Sequence, residues 1–420
     1  MDEVKMEFEI RDKAVKIIEI TEGKLCNRCL GRNFSKIIDA PGNMERGEYV
    51  RKILSQNGYN LPQNDLNSSK CHVCSNIFDQ VDLEDENIVD RIIKEITDSG
   101  IEFSNFLVGC KVQPEILENE AKIQKELYID VESIKKELNR EIGKALSSKL
   151  GKEVEFDNPN LVVMIDFKNG NIELQTNPLF IEGRYRKLLR GIPQTKWPCT
   201  KCKGKGCERC NFTGKMYQES VEELVSPDAV KATQGSSSKF HGAGREDIDV
   251  RMLGNGRPFV LEIKEPKLRD IDLEELEENV NKHAEGKVEI LNMKFVGKER
   301  RSQIKTSSTD TYKVYRAIAE LEDEVEDEVL RSLNSIKIIK QRTPIRVSHR
   351  RADKIRTREV RNMEFKKLDA KTLELVIECE GGLYIKELIS SDESRTKPSV
   401  SEVLGTPAKC VKLDVLEVNI

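Results

Sequence analysis

Eight of the eleven cysteines fall in four Cys-x-x-Cys pairs: Cys26/Cys29, Cys71/Cys74, Cys199/Cys202 and Cys207/Cys210. A tetrahedral metal site needs four soft ligands, and each such turn supplies two from one tight loop. Taken in sequence order the pairs make two four-cysteine sites. The first has a long loop between its halves. The second is compact, in CTKCKGKGCERC, where Gly204 and Gly206 free the backbone to wrap an ion. Structural Zn2+, one ion per site, suits this ligand set. Iron–sulfur clusters use the same ligands, but neither of their usual spacings matches, and unpaired or redox-active thiols are the remaining alternative. The pairs could also be exchanged between the sites. Four thiolates leave no open coordination position, so the sites are expected to hold structure rather than to catalyse. His72 lies inside one pair but is surplus to four cysteines. With only four histidines in the chain, chemistry built on a histidine cluster is not expected.

A second stretch with chemical potential is SSSKFHGAGREDIDVRMLGNGRPFVLEIKEPK. A Gly/Ser-rich loop holds Arg-Glu-Asp, and apolar alternation then starts at Ile248, Val250 and Met252, a strand pattern. Asp247 thus sits where loop turns into strand, where a carboxylate can be held rigidly at the edge of a cleft. A loop aspartate is also an ordinary turn-former or cap, and composition does not overturn that reading. A metal-dependent nuclease using Asp247 and Asp249 is a weaker option, because residues i and i+2 share a face only if the strand starts early.

The elements that must position these groups can be read along a chain of 420 residues, enough for two or three domains. Lys and Arg total 70 against 74 Asp and Glu, so any nucleic-acid surface must be local rather than global. No run approaches the roughly 18 apolar residues of a membrane span, and the acidic start carries no signal-peptide core, so a cytoplasmic protein without membrane contact is expected. Residues 1–24 read as an amphipathic helix and 86–99 as another, followed by the strand FSNFLVGC. One long helical stretch runs from KIQKEL to Gly151, and the strands LVVMIDF and NIELQT are joined by an Asn169-Gly170 hairpin turn. Cys110, Cys379 and Cys410 lie in apolar strand-like contexts and read as core residues. Further on, strands PFVLEI, KVEILNMKFV, TLELVIE and KLDVLEV are mixed with helices outside any regular βαβ repeat, which indicates an α+β domain with a mostly antiparallel sheet.

Two charge runs stand out. Residues 320–328 hold seven acids in nine positions and read as a solvated helix face. Residues 340–361 hold nine Lys/Arg against two acids, and phosphate contact is favoured there. The segment GRYRKLLRGIPQTKW, basic and without an acid, reads as the boundary between two halves. The expected organisation is 1–80, helix plus zinc-binding module; 81–195, a domain of mixed helices and strands; 196–214, second cysteine cluster; and 215–420, an α+β domain.

The Asp247 segment resembles the pseudouridine synthases, whose shared motif is an aspartate after a Gly-Arg pair in a short loop. The whole chain is similar to one branch of them, the archaeal and eukaryotic tRNA pseudouridine synthases with an N-terminal THUMP domain that act at tRNA positions 54 and 55. The similarity runs in order through LCNRCLGR, PLFIEGRYRKLLRGIPQTKWPC, HGAGREDIDVRMLGNGRPFVLEI, YKVYRA, QRTPIRVSHRRA and GGLYIKELI. The second cysteine cluster looks like the archaeal form. The resemblance implies that Asp247 is the catalytic aspartate, Tyr315 the tyrosine that stacks on the target base and Lys386 the basic residue paired with the aspartate. Ile385 and Leu413 would form the apolar wall, and Arg245 would contact substrate. It implies no catalytic cofactor, no obligate protein partner, and tRNA as partner, gripped at the T-arm and acceptor end. Arg184, Arg186, Arg190 and Lys196 would form one phosphate-contact patch, and Arg342, Arg346, Arg350 and Arg351 a second. The competing expectation is a zinc-stabilised tRNA-binding adaptor or chaperone without activity. Asp247→Ala separates the two, because only the enzyme loses pseudouridine formation while keeping tRNA binding.

Overall fold

Apolar stripes closed by side-chain caps and glycines set the elements of the first half. Helix Ile88–Ser99 starts where the Asn87 side chain accepts from the Asp90 amide, and stops at Gly100, whose φ of 64° suits a left-handed cap. The computed structural model describes residues 3–59, 70–82, 87–127, 131–306, 311–349 and 351–419, and divides into two compact units, Met1–Asn177 and Pro178–Ile420.

In the first unit, β1 (Asn105–Lys111), β2 (Glu153–Val154), β3 (Leu161–Asp166) and β4 (Asn171–Thr176) form a sheet in the order β2-β1-β3-β4. The β1 strand runs parallel to β2 and β3, while β3 and β4 form the hairpin expected at Asn169-Gly170. Alternate residues Phe106, Val108 and Cys110 of β1 and Leu161, Val163 and Ile165 of β3 are buried. They share one core with Ile92, Ile96, Leu138 and Ile142 of the flanking helices and with Cys29, Cys71 and Cys74. The long helix expected up to Gly151 is two helices, Pro114–Leu127 and Ile134–Leu150. Ser133 accounts for the second start: its hydroxyl accepts the Lys136 amide, an N-cap that competes with continued helix. Helices Asn27–Arg32 and Asn43–Gln56 cross so closely that a Cβ on Gly47 would lie 2.0 Å from the Asn27 carbonyl oxygen.

The second unit is built on β5 (Leu179–Lys187), β6 (Ser237–Gly242), β7 (Arg251–Lys264), β8 (Val288–Phe295), β9 (Tyr312–Leu321), β10 (Ile338–Arg342), β11 (Ile355–Asp369), β12 (Thr372–Glu380), β13 (Thr396–Lys397) and β14 (Ala408–Val418). They form one sheet of ten strands, ordered β13-β10-β11-β12-β9-β14-β7-β5-β8, with β6 on the edge of β7. Its pairs are antiparallel except β7 with β14, so the mixed, mostly antiparallel sheet is as the sequence indicates.

Three expectations change. The basic segment read as a boundary begins inside strand β5, which is paired to β7 and β8, so the break falls at Asn177 rather than 195, and residues 196–214 lie inside the second unit. Half of the Gly/Ser-rich loop is strand β6, because the ladder to β7 satisfies its backbone whatever its serine content. Ile248 lies in a turn, closed by the Val250 amide on the Asp247 carbonyl, and β7 starts only at Arg251.

Candidate active site and cysteine clusters

The β7/β14 pair is the one parallel seam of the large sheet, with Arg251 opposite Asp414. The loop entering β7 therefore lies beside Leu413 of β14, and helix Ile385–Ser390 packs on the same strand. This arrangement gathers distant sequence segments. Asp247, Tyr315, Ile385, Lys386 and Leu413 all line one recess of about 110 Å³, as do Arg245, Arg346 and Tyr384. A cavity of about 460 Å³ shares Asp247 and Lys386 with it and adds Trp197, Asp249 and Arg351.

Within the recess Asp247 keeps the expected Lys386 as an ion-pair partner and has a second, nearer cation. The Arg346 guanidinium is 2.8 Å from Asp247 Oδ2, whereas Lys386 Nζ is 3.6 Å away. Lys386 instead donates to both oxygens of Asp249, at 2.7 and 2.9 Å. Burial pulls the Asp249 carboxyl upward, but this ammonium outweighs it and leaves its pKa below the usual value. With cations seated on Asp247 and Asp249, the two carboxylates do not form the open metal pair that a nuclease needs. Arg346, expected in an outlying phosphate patch, is thus the nearest cation to Asp247. Its Nε also donates to Glu387 at 2.5 Å, and it lies over the Tyr384 ring at 5.8 Å. Burial alone would lower the Arg346 pKa, but Glu387 and Asp247 raise it above the ordinary value, so it stays charged. Tyr315 is on strand β9, paired with Val415 of β14. Burial holds its phenol above the usual pKa, so it presents a neutral ring.

The Asp247 loop rests on buried polar side chains that the sequence reading missed. Tyr185 donates its hydroxyl to Glu246 at 2.9 Å and accepts from Gln194 Nε2 at 2.8 Å. Arg257 lies 2.8 Å from Glu246. Lys187, with 0% exposure, donates to the carbonyls of Ile192, Asp247 and Ile248 at 2.9 to 3.2 Å. Desolvation lowers the Lys187 pKa, which Glu246 partly offsets. The signal was present in β5, where Lys187 falls in phase with inward-facing Tyr185.

The first expected phosphate patch does not stand as a free surface. Arg184 donates to the carbonyls of Asn255, Gly256 and Val418, and Arg186 to Gly254 and Glu289. Arg190 holds Asp249 and Leu413 carbonyls and the Asp414 carboxylate. These guanidinium groups tie strand ends together, which explains a basic segment without acids of its own. Lys196 is exposed. In the second patch Arg342 is paired with Asp353 at 2.5 Å, and Arg350 lies outside the described residues.

Each cysteine set converges. Cys26, Cys29, Cys71 and Cys74 form one group and Cys199, Cys202, Cys207 and Cys210 the other, with the sulfurs of each within 4.8 Å of one another. A tetrahedron of sulfurs about 2.3 Å from a metal has edges of about 3.8 Å. The Cys26–Cys74 separation is 3.7 Å, and three edges of the second set are 3.7 to 3.9 Å. Backbone amides of Gly206, Cys207 and Gly214 donate to sulfur at 3.2 to 3.3 Å, which favours thiolates. Gly204 and Gly206 take φ values of 95° and 90°, the wrap expected of them. Both sets can therefore hold a metal ion. Among the described residues no other group of three or more His, Cys, Asp or Glu converges in this way.

Comparison with known proteins places these features together. Residues 180–419 match the family model "Pus10, C-terminal", and residues 88–166 match "Pus10 THUMP domain, archaeal". Curated relatives named tRNA pseudouridine synthase Pus10 align over nearly the full length. That of Methanothermobacter marburgensis is 49% identical, covering 98% of this chain and 99% of its own. That of Methanocaldococcus jannaschii is 43% identical over 94% and 92%. That of Pyrococcus furiosus is 41% identical over 97% and 98%.

Proposed function

The chain belongs to the Pus10 family of tRNA pseudouridine synthases, with a THUMP domain followed by the synthase-type domain, and on that footing we propose that it isomerises uridine to pseudouridine at position 54, position 55 or both in the T-arm of tRNA, with Asp247 as the reacting carboxylate. The observation that carries this reading is the convergence of Asp247, Arg346, Tyr315 and Leu413 on one small recess.

The reaction breaks the N-glycosidic bond, rotates the uracil and rejoins it through C5, which loses its proton while the freed N1 takes one up. Asp247 acts on the sugar as nucleophile or as base. Arg346, 2.8 Å away, holds one of its oxygens in place. Extruding the uridine from the folded arm costs a few kcal/mol. Stacking on Tyr315, worth roughly 1–3 kcal/mol per base, offsets part of that, and Ile385 and Leu413 supply the apolar wall. Lys386, hydrogen-bonded to Asp249, is the second and more distant cation of Asp247. Arg245 and Arg351 in the outer cavity contact the RNA, and the THUMP domain grips the acceptor end. No catalytic cofactor is required by this chemistry.

Each cysteine set is proposed to bind one structural zinc ion. Metal analysis of the purified chain is expected to give two zinc per chain. One or none, or iron in their place, would contradict it. Among the described residues no helix is long and apolar enough to cross a membrane, and the cytoplasm is the proposed location.

The test is incubation of an unmodified tRNA transcript with the purified chain, followed by mapping of pseudouridine. Modification at position 54, position 55 or both supports the proposal. Tight binding with no pseudouridine at any position would favour the adaptor.

A further inference from the structure

The second cysteine set projects from the large-sheet unit on two legs joined at the mouth of the cavity. Pro198 bridges Lys215, the Met216 amide donates to the Trp197 carbonyl at 2.9 Å, and Trp197 lies against Tyr217 with ring centroids 5.4 Å apart. Trp197, the single tryptophan of the chain, lines the same cavity as Asp247. The Arg245 guanidinium lies over its ring at 5.5 Å and lines that cavity too. Tyr217 stands behind and does not.

At the other end, the tip carries features that a purely structural knuckle does not need. Lys201, Lys203, Lys205 and Arg209 are all exposed, and none has an acidic partner within 4.0 Å among the described residues. Phe212 is 74% exposed. Asn211 and Phe212 both hold positive φ, 49° and 59°, a costly pair for residues with side chains. The Phe212 amide on the Cys207 carbonyl at 2.9 Å, and the Gly214 amide on Cys210 sulfur, hold the chain there. An apolar ring held out by the cysteine turn among unpaired cations suits one chemical class, a polyanion whose units have flat faces.

We propose that the second cysteine knuckle is an RNA-reading arm: Trp197 and Arg245 stack the nucleotide next to the extruded uridine, while Phe212 and the tip lysines engage the strand beyond it. This rests on the synthase reading for the identity of the RNA, but not for the contact itself. Single-stranded nucleic acid is held by this combination of aromatic faces and cations, and a stack at the mouth would replace the neighbours that the extruded base leaves behind.

Because Trp197 is the only tryptophan, its emission reports the contact in the full chain. Titration with an unmodified tRNA transcript is expected to quench that emission, with the quench reversed by salt. Trp197→Ala should raise KM about tenfold with kcat changed by less than about threefold, and Trp197→Phe should recover most of the loss. The triple change Lys201→Ala, Lys203→Ala and Lys205→Ala, confined to exposed positions, should lower the slope of log affinity against log salt by about two. Unaltered emission on saturation with a tRNA that the protein modifies, or a triple variant with an unaltered salt slope, would overturn the proposal. Quenching by a tRNA that is never modified would uphold the contact and overturn the synthase reading instead.

Discussion

Asp247 and Asp414 are two aspartates at the same end of β7, both facing arginine, and the molecule uses them in opposite ways. Asp414 is 4% exposed and meets three guanidinium groups, from Arg190 at 2.6 Å, Arg251 at 2.9 Å and Arg316 at 3.0 Å. Burial pushes its carboxyl up, but Arg251 and Arg316 overcome this and bring the pKa down to about 2. Its oxygens are spent on joining β7, β9, β14 and the segment that follows β5. The Asp247 side chain is 30% exposed and has one close cation, Arg346, with Lys386 more distant. Its remaining surface opens on the cavity. An aspartate ringed by arginines pins strands; one with a single arginine and open space keeps oxygens available to a substrate. The number of cations and the exposure, rather than the residue type, separate the two.

The contrast is tested most severely at Arg346. Arg346→Lys keeps a cation for Glu387 but cannot fork between two carboxylates, so kcat for pseudouridine formation should fall by about 100-fold, while the melting temperature moves by no more than about two degrees. Single-turnover rates and calorimetry check both halves. The converse change, Asp414→Asn, leaves three arginines facing a neutral amide. It should cost about 2–3 kcal/mol of stability, read by denaturant unfolding, with kcat of the folded protein kept within about threefold.

Acid offers a third probe. A folded pKa of about 2 for Asp414 lies below its unfolded value of about 3.9. Its contribution is therefore complete above about pH 4 and drains away as pH falls towards 2, amounting to about 2 kcal/mol. The difference in stability between the natural chain and Asp414→Asn should shrink over that window. A difference that stays constant would break the comparison. Smallest of all, Tyr185→Phe removes one donor to buried Glu246 and should cost about 1 kcal/mol, with a modest fall in kcat as the Asp247 loop loosens.

How far the sequence revealed the site depends on where each residue lies. Asp247, Tyr315, Ile385 and Lys386 stand in short runs whose order along the chain carries the resemblance, Leu413 stands only in an ordinary strand pattern, and the sheet brings all five together. The nearer partner of Asp247 was not legible, because Arg346 reaches it from a short 3-10 turn (Ile345–Val347) inside a basic run, and charge density does not say which arginine turns inward. The same blindness made a surface patch of Arg184, Arg186 and Arg190, whose partners are backbone carbonyls and acids on other strands. The cysteine sets were legible because ligand spacing within a tight loop is a local property. The break between Leu127 and Ile134 was not, because periodicity continues across it and only Ser133 marks the restart.

The most direct measurement uses the proton that C5 must lose. A tRNA transcript made with uridine tritiated at C5 is mixed with excess Asp247→Asn under single-turnover conditions, beside the unaltered chain. The account predicts stoichiometric tritium release by the unaltered chain and none above background from Asp247→Asn, although the variant binds the tRNA as tightly. Release by the variant at a rate near that of the unaltered chain would contradict it.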